Sequence, residues 1–390
     1  MLSDLRAVER VLKKAHCPEH VFGSLDGADA RAKHKLLSKA YHALATTVHP
    51  DKYAKDTAET RALSAEVFAE LSKWKKRADD KVDAGTYGDG KPYEERHEAP
   101  VMSPQIIQTR KRKYIVTKLL AHGDLADVYE CATTNDAGVE EKLAFKIARS
   151  PLDSDLVENE HKVLSAMYPA AQPPEKLYRY MPKSFDSFLL QTPGIGNRRV
   201  HVLQLFDEHV SLAEVMAAYP KGIDFRDMAW MFRRCLEGIG FVHKEKNVVH
   251  GAILPPHLLV HMVHHGAKFV DWCYAVPNWD AEKSHVKAIS KAYRAYYAPE
   301  VLAKKPPTPE TDLYMIAKCM VALLGGDVAT NAMPAAVPKA VQNFLRSCLF
   351  EAPTRRPRDA WTLYDELDEV LRALVGERKY RPPLPMPNKM

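Results

Sequence analysis

The chain has 390 residues, 46% of them apolar and 27% charged, with a formal net charge of +6. That length calls for more than one domain, and that balance excludes an intrinsically disordered chain. No run approaches the roughly 18 apolar residues of a membrane-spanning helix. The start, Met1-Leu2-Ser3-Asp4-Leu5-Arg6, lacks a signal-peptide core, so a cytoplasmic protein without a membrane partner is expected.

Leu36, Leu37, Ala40, Tyr41, Leu44, Ala45 and Val48 recur at three- and four-residue spacing, which predicts an amphipathic helix. Leu63, Val67, Phe68, Leu71 and Trp74 predict a second. Between them lies His49-Pro50-Asp51-Lys52. Proline disfavours helical backbone in the residue before it, so the tripeptide falls in the loop of a helical hairpin. Such a hairpin resembles the J-domain of DnaJ-type co-chaperones, a small all-α module, here placed at residues 1–80. Val21-Phe22-Gly23 then falls where that family ends its first helix. Arg31, Lys33, His34, Lys35 and Lys39 would form the basic face that J-domains offer to the acidic surface of a DnaK-type heat-shock chaperone. The resemblance implies that His49, Pro50 and Asp51, with Lys35 and Lys39, bind that chaperone and trigger its ATP hydrolysis. An ordinary helical hairpin whose proline only ends a helix is the plainer alternative.

Residues 81–108 read as a linker: Asp83-Ala84-Gly85-Thr86-Tyr87-Gly88-Asp89-Gly90-Lys91-Pro92 is rich in turn formers and has no apolar period. The basic run Arg110-Lys111-Arg112-Lys113 reads as a solvated strand edge. Nucleic-acid binding is not expected, since no recognition motif accompanies that run.

Strands are predicted at Tyr114–Val116 and Asp127–Cys131 around a turn at His122-Gly123-Asp124, then at Leu143–Ile147 and from Val200 to Phe206. A helix is predicted over Val157–Leu164 and another over Ala229–His243. Next come His250-Gly251-Ala252-Ile253-Leu254-Pro255-Pro256-His257 and Lys268-Phe269-Val270-Asp271-Trp272, a short strand, a turn and a second strand ending in an acid. This succession resembles a protein kinase, a bilobal α+β fold with an N-lobe at about 109–205 and a C-lobe at about 206–375. The whole chain is thus expected to be multidomain, an all-α hairpin followed by that α+β fold. The resemblance makes ATP and Mg²⁺ the implied cofactors, with Gly123, Lys146, Glu160 and Asp271 as their contacts and Asp271 holding the metal. Lys146 would pair with Glu160, Glu300 (in Tyr296-Tyr297-Ala298-Pro299-Glu300) with Arg356, and Asp312 would anchor the loop at His250.

The departures fall on the chemistry. Kinases carry His-Arg-Asp-x-Lys-x-x-Asn in the loop, and this chain keeps only the histidine, His250. Gly251 replaces the arginine, Ala252 the aspartate, Leu254 the lysine and His257 the asparagine, so no catalytic residue is assigned. Loss of a general base typically removes a factor of about 10²–10⁴ in rate. Of the Gly-x-Gly-x-x-Gly-x-Val phosphate loop only the middle glycine, Gly123, remains, and Asp124 beside it would repel a phosphate. A pseudokinase is therefore expected: a J-domain adaptor that brings a DnaK-type chaperone to a client held by the kinase-like domain, with ATP as a ligand at most. Two alternatives stay open. One is an active atypical serine/threonine kinase or other ATP-dependent transferase working through Lys146 and Asp271. The other is a scaffold that binds no nucleotide.

His257, His261, His264 and His265 invite a metal reading, but the template puts the last three on a strand and hairpin, and scattered surface imidazoles are the expectation. Cys17, Cys131, Cys235, Cys273, Cys319 and Cys348 include no Cys-x-x-Cys pair, so buried reduced thiols are expected. Residues 376–390 read as an extended proline-rich tail, loose or strapped along the fold.

Overall fold

The computed structural model describes residues 2–25, 29–54, 56–83, 85–89, 105–134, 138–168, 179–192, 195–279 and 284–386. It is a mixed α+β chain in two compact units, Met1–Glu98 and Ala99–Met390, each with its own apolar core. Among the described residues, no helix is long and apolar enough to cross a membrane.

In the first unit, helices α1 (Leu2–Lys14), α2 (Glu19–Phe22), α3 (Ala30–Val48) and α4 (Ala58–Asp83) pack together. The Asp29 carboxylate caps α3 by accepting the Ala32 N–H at 2.7 Å, which satisfies one of the unbonded donors of the first turn. Leu37, Ala45 and Val48 of α3 face Val67, Leu71 and Trp74 of α4, and α1 adds Leu5, Val8 and Leu12. Leu36 was expected in that stripe, yet it is 39% exposed while Leu37 is fully buried. Neighbours on a helix point about 100° apart, so only one of the two can face the core. His34 also departs from its expected place on the solvent-facing basic side. Its ring nitrogens lie 3.0 Å from Asp79 and 2.7 Å from Asp83, which puts it in the α3–α4 seam. The expected first helix is two: α1 stops at Lys14, and α2 ends at Gly23, whose φ of +71° suits glycine.

This unit runs past residue 80, where the linker was expected to begin. Lys81 pairs with Glu19 at 2.8 Å and Asp89 at 2.5 Å, and the Tyr87 hydroxyl donates to the Gly23 carbonyl at 2.8 Å. The middle of the expected linker, residues 90–104, lies outside the described residues.

The second unit opens with a six-stranded antiparallel sheet, order β1-β2-β3-β4-β6-β5. Its strands are β1 (Gln105–Gln108), β2 (Lys113–His122), β3 (Ala126–Thr134), β4 (Glu140–Ala148), β5 (Ser184–Thr192) and β6 (Gly196–Gln204). The basic run is not a strand edge: residues 110–112 form the β1–β2 turn, closed by Thr109 N–H donating to the Arg112 carbonyl at 2.9 Å. On β4 the period of two sorts the side chains. Leu143, Phe145 and Ile147 enter a core on one face with Tyr114 and Val202, while Lys146 emerges on the face covered by α5 (Ser154–Met167).

The remainder is mainly helical: α6 (Leu212–Ala218), α7 (Phe225–Lys246), α8 (Pro299–Leu302), α9 (Pro309–Leu323), α10 (Lys339–Ser347) and α11 (Ala360–Val375). Short strands β7 (Val210–Ser211), β8 (Val248–Val249), β9 (Leu258–His261), β10 (Gly266–Phe269) and β11 (Val276–Pro277) frame the loop that begins at His250. Helices α7 and α9 are buried along most of their length and form the floor beneath that loop. All six cysteines are buried free thiols. Residues 376–386 of the expected tail are laid along this unit, with Leu384 and Met386 packed on its core.

Candidate functional site

The loop at His250 is held from below by one buried carboxylate. Asp312, on α9, accepts the backbone N–H of His250 at 2.8 Å and of Gly251 at 2.9 Å, and its Oδ2 lies 2.9 Å from His243 Nε2. The His250 ring is buried and bonds the Val270 carbonyl at 3.1 Å. Burial pushes its pKa down to about 4, so it is a neutral hydrogen-bonding group in the core. Trp272 packs on it at 4.4 Å between ring centres. Gly251 has φ +75°, and a Cβ there would sit 2.9 Å from Val286 Cγ2 and 3.0 Å from the Tyr274 carbonyl. The missing side chain is thus the seat of the 284–297 segment. Ala252 and Leu254 are fully buried in the apolar core and offer no proton acceptor.

Above this loop, Lys146 on β4, Glu160 on α5 and Asp271 after β10 converge. Lys146 Nζ lies 3.1 Å from Glu160 Oε1 and 2.7 Å from Asp271 Oδ1. The second oxygens are also held: His201 Nδ1 lies 3.1 Å from Glu160 Oε2, and His257 Nε2 lies 3.0 Å from Asp271 Oδ2. His257 Nδ1 donates to the Ala252 carbonyl at 2.8 Å, and the Trp272 N–H donates to Glu160 at 2.9 Å. Burial, the largest single effect, would raise both carboxyls, but Lys146 and His201 together at Glu160, and Lys146 and His257 together at Asp271, outweigh it. Both are held below the usual carboxylate range, Asp271 well below. Burial disfavours the Lys146 ammonium, and its anionic neighbours more than compensate, so it stays charged.

Glu160, Asp271 and Cys273 present ligand atoms within 4.8 Å of one another, a spacing suited to a metal ion. The Lys146 ammonium already bonds both carboxylates, and the Cys273 thiol lies against it. Burial drives that thiol well above its ordinary pKa, so it is not a thiolate ligand. The cation of this cluster is the lysine. Both oxygens of Asp271, the acid expected to hold Mg²⁺, already have a partner here, Lys146 on one and His257 on the other. At the place expected for a second metal ligand stands His257, whose nitrogens are both engaged.

The phosphate-loop position is a tight turn between β2 and β3. Gly123 N–H donates to the Ala126 carbonyl at 3.0 Å, and a Cβ on Gly123 would meet that same oxygen at 2.9 Å. Asp124 accepts a short hydrogen bond from the Ser290 hydroxyl. The Ser290 N–H donates to the Tyr297 hydroxyl at 3.0 Å. The turn and the 284–297 segment are therefore latched to each other. Further down, Glu300 and Arg356 form a buried bidentate pair at 2.6 and 3.0 Å, with Thr311 donating to Glu300 at 2.8 Å.

In the first unit, His49, Pro50 and Asp51 lie at the α3–α4 connection, where Pro50–Tyr53 makes a single tight turn. The His49 ring accepts the Asp51 N–H at 3.3 Å and meets Phe68 edge-on at 5.0 Å. Asp51 is almost wholly exposed, and Lys35 and Lys39, four residues apart on α3, are exposed.

No family model matches the chain, and no curated protein matches it.

Of the four histidines open to a metal reading, His257 serves Asp271 and His265 is stacked on Trp230. His261 accepts the His264 N–H at 3.1 Å and pairs with Glu208 at 3.1 Å, so its ring is spent. The sequence reading missed His201, Ser290 and Asn159, whose side-chain amide donates to the Cys273 and Ala275 carbonyls at 3.1 and 3.0 Å. His201 alone left a signal: a polar residue between Val200 and Val202 on a buried strand, cross-strand from Lys146.

Proposed function

We propose that this chain is a J-domain joined to a pseudokinase, an adaptor that recruits a DnaK-type chaperone to a client protein and transfers no phosphoryl group. The observation that carries the second half is the closed cluster at Lys146. Lys146 pairs with Glu160 as the kinase resemblance expects, but the acid that would hold Mg²⁺ is gripped on both oxygens, by Lys146 and by His257 in the place of the asparagine. The buried methyl of Ala252 stands where a base would be needed. Positioning and charge stabilisation do most of the work in phosphoryl transfer, so the loss of the loop lysine at Leu254 together with the base at Ala252 weighs more than either substitution alone. The Asp124–Ser290 latch supports the same reading and favours an adaptor that works without nucleotide.

The first half rests on the exposed His49-Pro50-Asp51 turn and on Lys35 and Lys39 above it. An acidic surface on a chaperone would meet two cations one helical turn apart and a rigid, solvent-facing tripeptide.

Incubation with γ-labelled ATP, Mg²⁺, a DnaK-type chaperone and general protein substrates tests the pseudokinase half. No label on any protein is expected. Label that disappears in Asp271→Asn would make the chain an active transferase and overturn the proposal.

A further inference from the structure

A second concave site lies well apart in the fold, between α7, α11 and the strap that follows Gly376. It encloses about 660 Å³, and six arginines and one lysine line it against two carboxylates, Asp368 and Glu377. We infer that this cleft binds a compact, multiply charged anion of the phosphate or polyphosphate class. The inference does not rest on the reading of the Lys146 cluster.

The strap makes the cleft a built feature. Arg381 grips Asp227 through two hydrogen bonds of 2.7 Å, and the Tyr219 hydroxyl donates to the Pro385 carbonyl at 2.5 Å. Tyr380 stacks on His265 at 4.9 Å, His265 stacks on Trp230 at 4.2 Å, and the Tyr380 hydroxyl donates to the Val263 carbonyl at 3.0 Å. With α11 at one end and Arg381 at the other, residues 377–380 form a fixed arch, and fixed donors lose little entropy on binding.

The charge on the arch is what asks for a ligand. Arg226, Arg233, Arg234, Arg372 and Arg381 each share a carboxylate, Asp224, Asp368, Glu237, Glu377 and Asp227 respectively. Arg378 and Lys379 have no carboxylate partner among the described residues, and both are exposed. A guanidinium has five N–H donors, so the paired arginines keep donors for a second acceptor. Arg378 and Lys379, adjacent on the arch and without a carboxylate, repel each other, and a compact polyanion reaching both relieves that repulsion while a single carboxylate cannot. The volume falls in the range of roughly 300–1,000 Å³ typical of small-ligand pockets. A protein partner would instead need a broad surface burying about 1,000 Å² or more.

The test is calorimetric titration of the full chain with inorganic tripolyphosphate, at low and at raised salt. Saturable one-to-one binding that weakens with salt is expected. Arg378→Ala/Lys379→Ala, on an exposed arch and therefore folded with an unchanged melting temperature, should bind about tenfold more weakly or worse, given what charge-assisted hydrogen bonds contribute. Asp271→Asn, titrated below its own measured melting temperature so that it is fully folded, should bind as the parent does. Absence of saturable binding, or equal binding by the double variant, overturns the inference. So does loss of binding in Asp271→Asn, which would put the anion at the Lys146 cluster. Equally tight binding of a polyglutamate peptide would make the cleft an acidic-peptide surface and overturn the ligand class.

Discussion

Lys146→Met removes the ammonium shared by the buried Glu160 and the part-buried Asp271, and the consequence can be worked from the geometry. Lys146 is 5% exposed and Glu160 0%, so neither can recover by solvation what the ammonium supplied. Breaking a buried ion pair from one side costs about 3–5 kcal/mol, against about 0–1 kcal/mol for an exposed pair. For a large domain that corresponds to a fall in melting temperature on the order of 10 °C. The pH dependence has a definite sign. In the parent, Asp271 and Glu160 are depressed below their ordinary values of 3.8 and 4.5, so their stabilisation is present above those values and fades as pH falls through the folded pKa values. Lys146 is raised above 10.5, so its share is complete below that pH and is lost only as pH climbs through the folded value. Without the ammonium, burial is opposed only by His201 and His257, so the carboxyls rise and ionising them costs stability. The deficit of Lys146→Met should therefore be largest near neutrality and should shrink as pH is lowered toward 5. Urea unfolding of both proteins at pH 7 and pH 5, followed by tryptophan fluorescence, measures this. A deficit below about 1 kcal/mol that does not change with pH would mean Lys146 behaves as a surface residue, and the closed cluster would be refuted.

Gly251→Arg should destabilise by about 1–3 kcal/mol, because φ is +75° and Val286 and Tyr274 occupy the space; an unchanged urea midpoint would contradict the seating of Val286. Arg356→Met strands the buried Glu300 carboxylate and should cost about 3–5 kcal/mol in the same assay. A loss under about 1 kcal/mol would deny that the pair is a structural clamp. Ser290→Ala removes a hydrogen bond to a carboxylate worth about 1.5–3 kcal/mol, and limited proteolysis should cut the 284–297 segment faster. An unaltered cutting rate would show that the latch does not hold the segment.

What the sequence made legible were contacts written into strong local patterns. Lys146 sits in an apolar strand whose period of two aims it at the face a helical acid must cover, and Glu160 is there. Asp312 opens a buried helix, and its two accepted N–H bonds follow from that position. Other features depend on partners distant in the chain. Asp124 was read as a charge that would repel phosphate, and its bond to Ser290, 166 residues away, is invisible to any local pattern. Gly251 was read as a lost arginine, whereas its φ and the packing of Val286 make glycine a requirement of this loop. His257 was read as a missing asparagine, and in the fold it fills the second half of Asp271. The end of the first unit was misplaced because Gly85 and Gly88 look like linker, while the aromatic anchor Tyr87 between them has its acceptor at Gly23.

The central claim is that one end of the chain drives a chaperone while the other transfers no phosphate. It is tested most directly by the single-turnover ATPase rate of a DnaK-type chaperone in the presence of the full chain. The account predicts stimulation that His49→Gln abolishes and that Asp271→Asn, assayed below its own melting temperature, leaves intact. No stimulation, or stimulation that survives His49→Gln, would contradict it.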